Sequence, residues 1–193
     1  MNSPTLLYAF VPQILDCILV ALRDPKVLIR ETAAEAAGAC ISIIAARDEH
    51  LRKKWFARIY DDALQGFKSP SPDTVHGSLL TIKELLLKGG MFMHDHYREA
   101  CEITLRLKDH KEPRIRAQVV AVIPILAGYA PEQFQHGYLY KFMTFLQGQL
   151  KKEKERNPAF IAIGKVAHAV CSAIAPFLDG VIIHVREGLS AKA

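Results

Sequence analysis

A recurrence of about 40 residues is the feature that most restricts what this chain of 193 residues can fold into. Arg30, His76, Arg116 and Arg156 stand at equivalent positions, 46, 40 and 40 residues apart, and we call them the repeat anchors. Apolar or small residues follow each anchor after three, six, seven and ten residues, with one exception at Lys83. These offsets trace one face of a helix. Periods of about 40–47 residues are typical of stacked antiparallel helix pairs.

Each repeat is predicted to contain a first helix, a tight turn and a second helix, because the apolar residues keep the spacing of an amphipathic helix. Strand signals are weak, since no hairpin turn separates alternating apolar runs. The predicted fold class is an all-α, right-handed solenoid of the HEAT or armadillo type, with about four repeats and one extra helix. The predicted repeats span about 10–46, 52–90, 94–130 and 136–173, and a half repeat spans about 175–190.

The same pattern predicts the individual helices. The extra helix has no second helix to pair with, and one amphipathic helix cannot bury its apolar face alone, so we expect a fragment of a larger chain. The first helices are predicted at about 10–23, 52–67, 94–108, 136–151 and 175–189, and the second helices at about 26–46, 73–88, 112–129 and 154–173.

Proline, glycine and aspartate mark the expected turns and close approaches. Pro25, which follows Asp24, ends the first helix because proline has no N–H to donate. Asp73 is placed to cap the second helix of the second repeat by accepting a backbone N–H bond. Gly38 and Gly164 both lie eight residues after an anchor, where a missing side chain would let a neighbouring helix approach closely.

The composition predicts a folded chain, since 50% of the residues are hydrophobic and 23% are charged. The formal net charge of +5 permits nucleic acid or anionic lipid as a partner without requiring either. No run of about 18 apolar residues is evident, so no transmembrane segment is expected. The first five residues carry no basic region followed by an apolar core, so no secretory signal is expected.

Four cysteines are spread through apolar helical patterns without a CxxC pair. We expect four reduced, packed thiols in a cytosolic protein, because disulfides and zinc sites need paired cysteines. The cysteines are Cys17, Cys40, Cys101 and Cys171.

His94, Asp95 and His96 form the one sequence cluster that resembles a metal site. Alternate residues of a helix point to different sides, so the two imidazoles would not converge. Serine residues within the predicted helices have no partnered histidine that would activate them as nucleophiles. We therefore predict no catalytic, metal-binding or cofactor-binding residue.

Two basic clusters permit a different function. Residues 52–54 are basic and precede Trp55, Phe56 and Tyr60, and residues 151–156 hold four basic side chains interrupted by two glutamates. Basic patches with aromatics bind phosphate backbones or anionic lipid. A solvated helix face explains both clusters as well, so binding of nucleic acid or phosphoinositide stays the alternative function.

Ser69 and Ser71 each precede a proline in a short turn, and such dipeptides are candidate sites of proline-directed phosphorylation. The same dipeptide is common in loops that are not phosphorylated.

Four segments resemble the amino-terminal HEAT region of target of rapamycin (TOR) serine/threonine kinases, and the fungal form in particular. The resemblance covers essentially the whole chain, and its most specific part is the last of these segments. The segments are Asp-Pro-Lys-Val-Leu-Ile-Arg-Glu at 24–31, Val-His-Gly-Ser-Leu-Leu at 75–80, Gly-Met-Phe-Met-His-Asp-His-Tyr at 90–97, and Lys-Lys-Glu-Lys-Glu-Arg-Asn-Pro-Ala-Phe at 151–160.

The resemblance implies a non-catalytic scaffold within a very large kinase that governs growth in response to nutrients. Repeats of this region bind regulatory subunits such as Raptor and contribute to a dimeric assembly. The resemblance also implies a cytoplasmic protein whose complex is peripheral on the vacuolar or lysosomal membrane. The sequence has no Gly-rich phosphate loop, no His-Arg-Asp loop and no Asp-Phe-Gly, so no kinase residue is assigned to it.

The chain departs from the HEAT pattern in one respect. HEAT repeats often carry an aspartate six residues before the anchor arginine, and these aspartates form a ladder of polar contacts. Asp24 fits this rule, whereas Pro70, His110 and Leu150 occupy the other three positions. Glu155 also replaces an expected apolar residue. The sequence therefore predicts a partial ladder, with stacking that depends mainly on apolar burial.

Overall fold

A computed structural model describes residues 8–47 and 49–190, and every regular element in these ranges is helical. The all-α fold class is confirmed. The elements are α1 (Val11–Ala21), α2 (Val27–Ala45), α3 (Glu49–Gly66), α4 (Pro72–Lys88), α5 (Phe92–Leu107), α6 (Pro113–Tyr129), α7 (Pro131–Gly137), α8 (Leu139–Leu150), α9 (Glu153–Val170), a 3-10 helix (Cys171–Phe177) and α10 (Leu178–Ser190).

The chain forms two compact units, residues 1–100 and residues 101–193, with α5 divided between them. In the first unit, α2 and α4 pack side by side, α1 packs on α2, and α3 packs on both α2 and α4. Their buried side chains include Leu15, Ile41, Ile59 and Leu79. Second helices of consecutive predicted repeats are therefore in direct contact, as expected for helix pairs stacked in series.

The second unit repeats this arrangement. Here α6 and α9 pack side by side, α8 packs on α9, and α7 packs on both α6 and α8. Phe134 of α7 and Phe142 of α8 stack with ring centroids 5.5 Å apart, and Ile123 and Leu126 of α6 are fully buried. Burial of apolar area contributes about 25 cal/mol per Å² and is the main stabilising term in such a core.

Two predicted helices have other bounds in the structure. The helix expected at about 136–151 is α8, which begins at Leu139 because Tyr138, with φ of −134°, interrupts the helical backbone after α7, and the short helix α7 was not predicted. The helix expected at about 154–173 ends at Val170, and Cys171 takes a φ of +50°. A left-handed φ is unfavourable for a side-chain-bearing residue, and apolar periodicity gives no sign of it.

The packing of the cysteines differs from the prediction. None of the four cysteines forms a disulfide bond, and Cys40 and Cys101 are buried, but Cys17 and Cys171 are exposed. Burial raises the pKa of the Cys40 thiol. The expectation of four packed thiols was wrong for Cys17 and Cys171, because an apolar helical pattern does not distinguish a core face from an apolar face at the surface.

The segment Glu153–Glu187 corrects the expectation that no apolar run of 18 residues exists. It contains an 18-residue stretch with a mean hydropathy of 1.8, of which 17% is buried, and is long and apolar enough to cross a membrane by length and composition. A 3-10 helix containing Pro176 interrupts the segment. One segment of this kind is weak evidence for a membrane span, since core helices of soluble proteins have similar composition.

Candidate functional site

Arg30 is the centre of a buried polar network in the first unit. Its side chain on α2 is inaccessible to solvent. Nη1 donates to the backbone oxygen of Asp24 at 2.6 Å and pairs with Oδ1 of Asp73 at 2.7 Å, and Nε donates to Nδ1 of His76 at 3.2 Å. Asp73 and His76 belong to α4, so the guanidinium joins the second helices of two consecutive predicted repeats. A buried guanidinium needs such acceptors, because desolvation of an unpaired charge is costly.

Asp24 and Pro25 have local roles at the entry to α2. The Asp24 carboxylate accepts a hydrogen bond from the Lys26 backbone N–H at 2.7 Å, and Pro25 lies in the turn between α1 and α2. The capping role predicted for Asp73 was wrong. Ser71 is the N-cap of α4 and accepts from the Thr74 N–H at 3.5 Å, whereas Asp73 pairs with Arg30.

Arg116 and Arg156 use the same backbone contact as Arg30. Arg116 Nη1 donates to the carbonyl oxygen of His110 at 2.9 Å, and Arg156 Nε donates to that of Leu150 at 2.9 Å. All three arginine anchors therefore bind the carbonyl six residues earlier. The contact needs no aspartate at that position, because every residue has a backbone oxygen. The expected partial ladder of aspartate side chains is therefore replaced by a contact to the backbone that all three arginines make.

Glu155 extends the anchor contacts in the second unit. Arg116 Nη2 of α6 lies 2.8 Å from Glu155 Oε1 of α9, and Lys152 Nζ lies 3.3 Å from Glu155 Oε2. Burial alone would raise the pKa of Glu155, but hydrogen bonds from Arg116 and Lys152, with their positive charges, outweigh it and lower the pKa. The glutamate that replaces an expected apolar residue is thus an ionic link between two consecutive predicted repeats.

The Glu155 contacts predict a pH dependence of stability. A carboxylate with a lowered folded-state pKa stabilises the fold above its unfolded-state pKa, and this contribution is lost as pH falls through the folded-state pKa. From pH 7 to below the ordinary value of 4.5, the urea midpoint of the wild type should therefore fall further than that of Glu155→Gln. Glu153→Gln, which changes an exposed glutamate, is the control. Equal losses for the wild type and Glu155→Gln would contradict this role.

Two of the close approaches at glycines join α2 to α4 and the end of α1 to α4, and the second was not predicted. A Cβ added at Gly38 would lie 2.2 Å from Oε2 of Glu84, so α2 and α4 approach closely at that predicted position. A Cβ at Gly77 would lie 1.9 Å from the backbone oxygen of Leu22. Apart from its own helical backbone and chain neighbours, no described atom lies within 4 Å of the Cβ position of Gly164, so the expectation of a close approach there was wrong.

Gly77→Ala should destabilise the chain by roughly 1–3 kcal/mol, because the added methyl meets a backbone carbonyl that cannot rotate away. Gly164→Ala should instead stabilise it by up to about 1 kcal/mol, since alanine is the better helix former and the space is open. Urea unfolding followed by circular dichroism measures both changes. If both variants changed the free energy of unfolding in the same direction, the difference in packing between the two positions would be refuted.

The structure separates the side chains of the sequence cluster that resembles a metal site. His94 Nδ1 lies 3.7 Å from Asp95 Oδ1, whereas the His96 ring packs against Tyr60 and Phe92, with centroids 4.2 Å and 4.7 Å away. No group of three histidine, cysteine or acidic side chains suited to a metal ion occurs among the described residues. Tyr60 donates to Glu99 at 2.7 Å, and burial followed by this hydrogen bond raises the pKa of its phenol.

The basic clusters occupy two different settings. Arg52 and Lys53 line a groove of about 280 Å³ together with Phe56, Phe92 and His96. In residues 151–156, the side chains of Lys152 and Arg156 are engaged with Glu155 and a backbone oxygen, as described above. The turn at Ser69 and Ser71 is ordered by two hydrogen bonds, in which Ser69 accepts from the Ser71 N–H and Ser71 caps α4.

Exposed apolar side chains lie at separate places in each unit. In the first unit, Leu28 is 74% exposed and, with Ile29, lines a groove of about 420 Å³ between α1 and α2. In the second unit, Ile182 and Ile183 of α10 are exposed. Exposed apolar patches mark binding surfaces more often than isolated apolar residues do.

Comparison with known proteins shows which protein family this helical chain resembles. No family model matches the sequence. The chain is 41% identical over 191 residues to serine/threonine-protein kinase tor1 of Schizosaccharomyces pombe and 36% identical over 198 residues to TOR2 of Saccharomyces cerevisiae. It is 33% identical over 192 residues to TOR of Arabidopsis thaliana. Each match covers 99% of this chain and 8% of the relative.

The chain thus spans less than a tenth of the length of these relatives. The matched part is helical in its described residues, and the kinase domain is absent from it. Identity of 33–41% across yeasts and a plant is well above what shared helical composition produces. By sequence and by structure, the chain is therefore a helical segment of the target of rapamycin (TOR) kinase family.

Proposed function

We propose that this chain is a non-catalytic scaffold that binds other proteins, with Raptor-type subunits of a TOR complex among them. The observation that carries the proposal is the presence of exposed apolar side chains, such as Leu28 on α2, whose opposite face is packed, and Ile183 on α10. Rigid helix pairs lose little conformational entropy when such side chains bind a partner. The division into repeats at 10–46, 52–90, 94–130, 136–173 and 175–190 belongs to the same proposal.

Membership in the TOR family supports the cellular part of the proposal. We place the chain in the cytoplasm, within a growth-regulating assembly that is peripheral on the vacuolar or lysosomal membrane. The arrangement of the anchors supports the scaffold role, because arginines and carboxylates that could serve catalysis are engaged in contacts between helices.

Binding of a purified Raptor-type subunit to the immobilised chain tests the proposal. Leu28→Glu and Ile183→Glu remove apolar contact area from one unit each, and Lys53→Glu is an exposed control. We expect wild-type binding, unchanged binding by Lys53→Glu, and a loss of about tenfold or more for at least one apolar variant. Absence of wild-type binding, or equal binding by all variants, would contradict the proposal.

Binding of nucleic acid or phosphoinositide is the second candidate function. One observation favours it: the side chains of Lys108, Lys141 and Lys152 surround a single groove in the second unit. A decrease in affinity for oligo(U) RNA or phosphoinositide vesicles with added salt would support it. Carboxylates beside two of these lysines weaken the case, because they reduce the positive field that attracts polyanions.

A further inference from the structure

The groove in the second unit combines an apolar floor with a basic rim. It has a volume of about 490 Å³ and runs between Lys108 and Asp109, which follow α5, and the outer face of α8. Phe145 and the exposed ring of Tyr140 supply apolar surface, and Lys141 and Lys152 stand at the rim. A volume of this size accommodates one or two side chains of a bound peptide.

Gly148 keeps the groove open. This residue lies within α8 and lines the groove, and apart from its own helical backbone and chain neighbours no described atom lies within 4 Å of the position where its Cβ would stand. Glycine costs about 1 kcal/mol relative to alanine in a helix interior. No neighbouring atom requires the glycine, so the packing of the described residues gives no reason for that cost. Because Gly148 lines the groove, a larger side chain at this position would project into it.

The charges at the rim are available to a partner. Lys108 pairs with Asp109, and Lys152 pairs with Glu155, but these are partly exposed contacts. Exposed ion pairs contribute only about 0–1 kcal/mol, so a partner carboxylate can replace them at little cost. Lys141 makes no ion pair with any residue that the structure describes. Three lysines against one lining aspartate leave a net positive rim.

We propose that this groove binds an acidic peptide segment of a protein partner, with one aromatic or large aliphatic side chain seated beside Tyr140 and over Gly148. The apolar floor favours a side-chain anchor, and the separated lysines favour carboxylates on either side of it. A nucleic acid would gain less, because one exposed aromatic ring offers only a single platform for base stacking. The inference rests on the proposed function as a protein-binding scaffold.

Selection from a random dodecapeptide phage library tests the proposal directly. The library is panned against the biotinylated 193-residue chain, and the selected peptides are then measured by fluorescence anisotropy with purified variants. Gly148→Leu fills the groove, and Gly164→Leu places the same side chain at an exposed helical glycine with equally open space. Lys141→Glu reverses a rim charge, and Lys165→Glu reverses an exposed lysine of α9.

We expect selected peptides with several acidic residues around one aromatic or aliphatic residue. Gly148→Leu should weaken their binding about tenfold or more, and Lys141→Glu about fivefold, while both control variants stay within about twofold of the wild type. Circular dichroism spectra identical to that of the wild type exclude misfolding. Selection of no peptide, peptides without acidic residues, or equal binding by Gly148→Leu would overturn the proposal.

Oligo(U) RNA and phosphatidylserine vesicles are measured in parallel. If either binds the wild type more tightly than the selected peptides and is lost in Gly148→Leu, the groove binds a polyanion and the peptide proposal is wrong. Binding of a Raptor-type subunit that is unaffected by Gly148→Leu, together with failure of peptide selection, would reject the groove and leave the scaffold function standing. The two proposals therefore fail by different results.

Discussion

Replacing Arg30 with methionine is expected to destabilise the first unit by about 3 kcal/mol. The variant keeps much of the side-chain volume but leaves the Asp73 carboxylate, His76 Nδ1 and the Asp24 carbonyl without their shared donor. Removing one partner of a buried ion pair costs about 3–5 kcal/mol. The lower end applies here, because the Asp73 side chain is 35% exposed and regains water.

Arg98→Met is the matched control, since Arg98 is exposed on α5 in the same unit. Urea unfolding followed by circular dichroism measures both variants. Arg30→Lys should recover little of the lost stability, because one ammonium group cannot reach the separate acceptors to which Nε and Nη1 donate. A loss for Arg30→Met no larger than that for Arg98→Met would show that the buried network contributes nothing to stability.

Truncation of the core of the second unit is expected to cost as much or more. Ile123 and Leu126 are fully buried in α6, which packs against α9. Replacing either with alanine removes apolar contacts and leaves a cavity, at a cost of about 2–5 kcal/mol. If the dependence of the free energy of unfolding on urea concentration is unchanged, the shift in the urea midpoint gives the change in that free energy.

Two exposed positions serve as controls for the core variants. Ile161→Ala removes the same atoms as Ile123→Ala from a side chain that is 61% exposed on α9, and Lys53→Ala changes an exposed lysine of α3. Both should stay within about 0.5 kcal/mol of the wild type. Near-zero losses at the buried and exposed positions alike would mean that the assigned helix faces are wrong.

Periodicity predicted the helices of this chain well because a buried helix face is a strong and repeated signal. The offsets after Arg30 and Arg116 correspond to buried residues such as Ala33, Val119 and Ile123. The break at Tyr138 could not be predicted in this way, since the apolar period continues through it. Backbone angles at single residues depend on tertiary packing that periodicity does not record.

The anchor contacts were predictable in position but not in chemistry. The recurrence located Arg30, Arg116 and Arg156, yet their common acceptor is a backbone carbonyl, which carries no residue signature. Asp73 and Glu155 were missed as partners of the anchors because each lies about 40 residues away in sequence. The acidic residues near each following anchor are the signal that could have identified them.

The sequence could not distinguish glycines that face open space from glycines that pack closely against a neighbouring helix. Gly38 and Gly164 occupy the same offset from an anchor, but only Gly38 faces side chains of a neighbouring helix. Gly77 packs against the Leu22 carbonyl, and Gly148 faces an open groove. A missing side chain is compatible with either setting, so only the positions of neighbouring atoms distinguish a packing glycine from one that keeps a groove open.

Native-state hydrogen exchange measured by mass spectrometry tests most directly whether the helix pairs bury their second helices in series. We expect the slowest exchange in α2, α4, α6 and α9, whose faces are buried against one another within each unit. Exchange should be much faster in α10, whose apolar residues are largely exposed. Exchange from α2, α4, α6 and α9 that is as fast as exchange from α10 would contradict it.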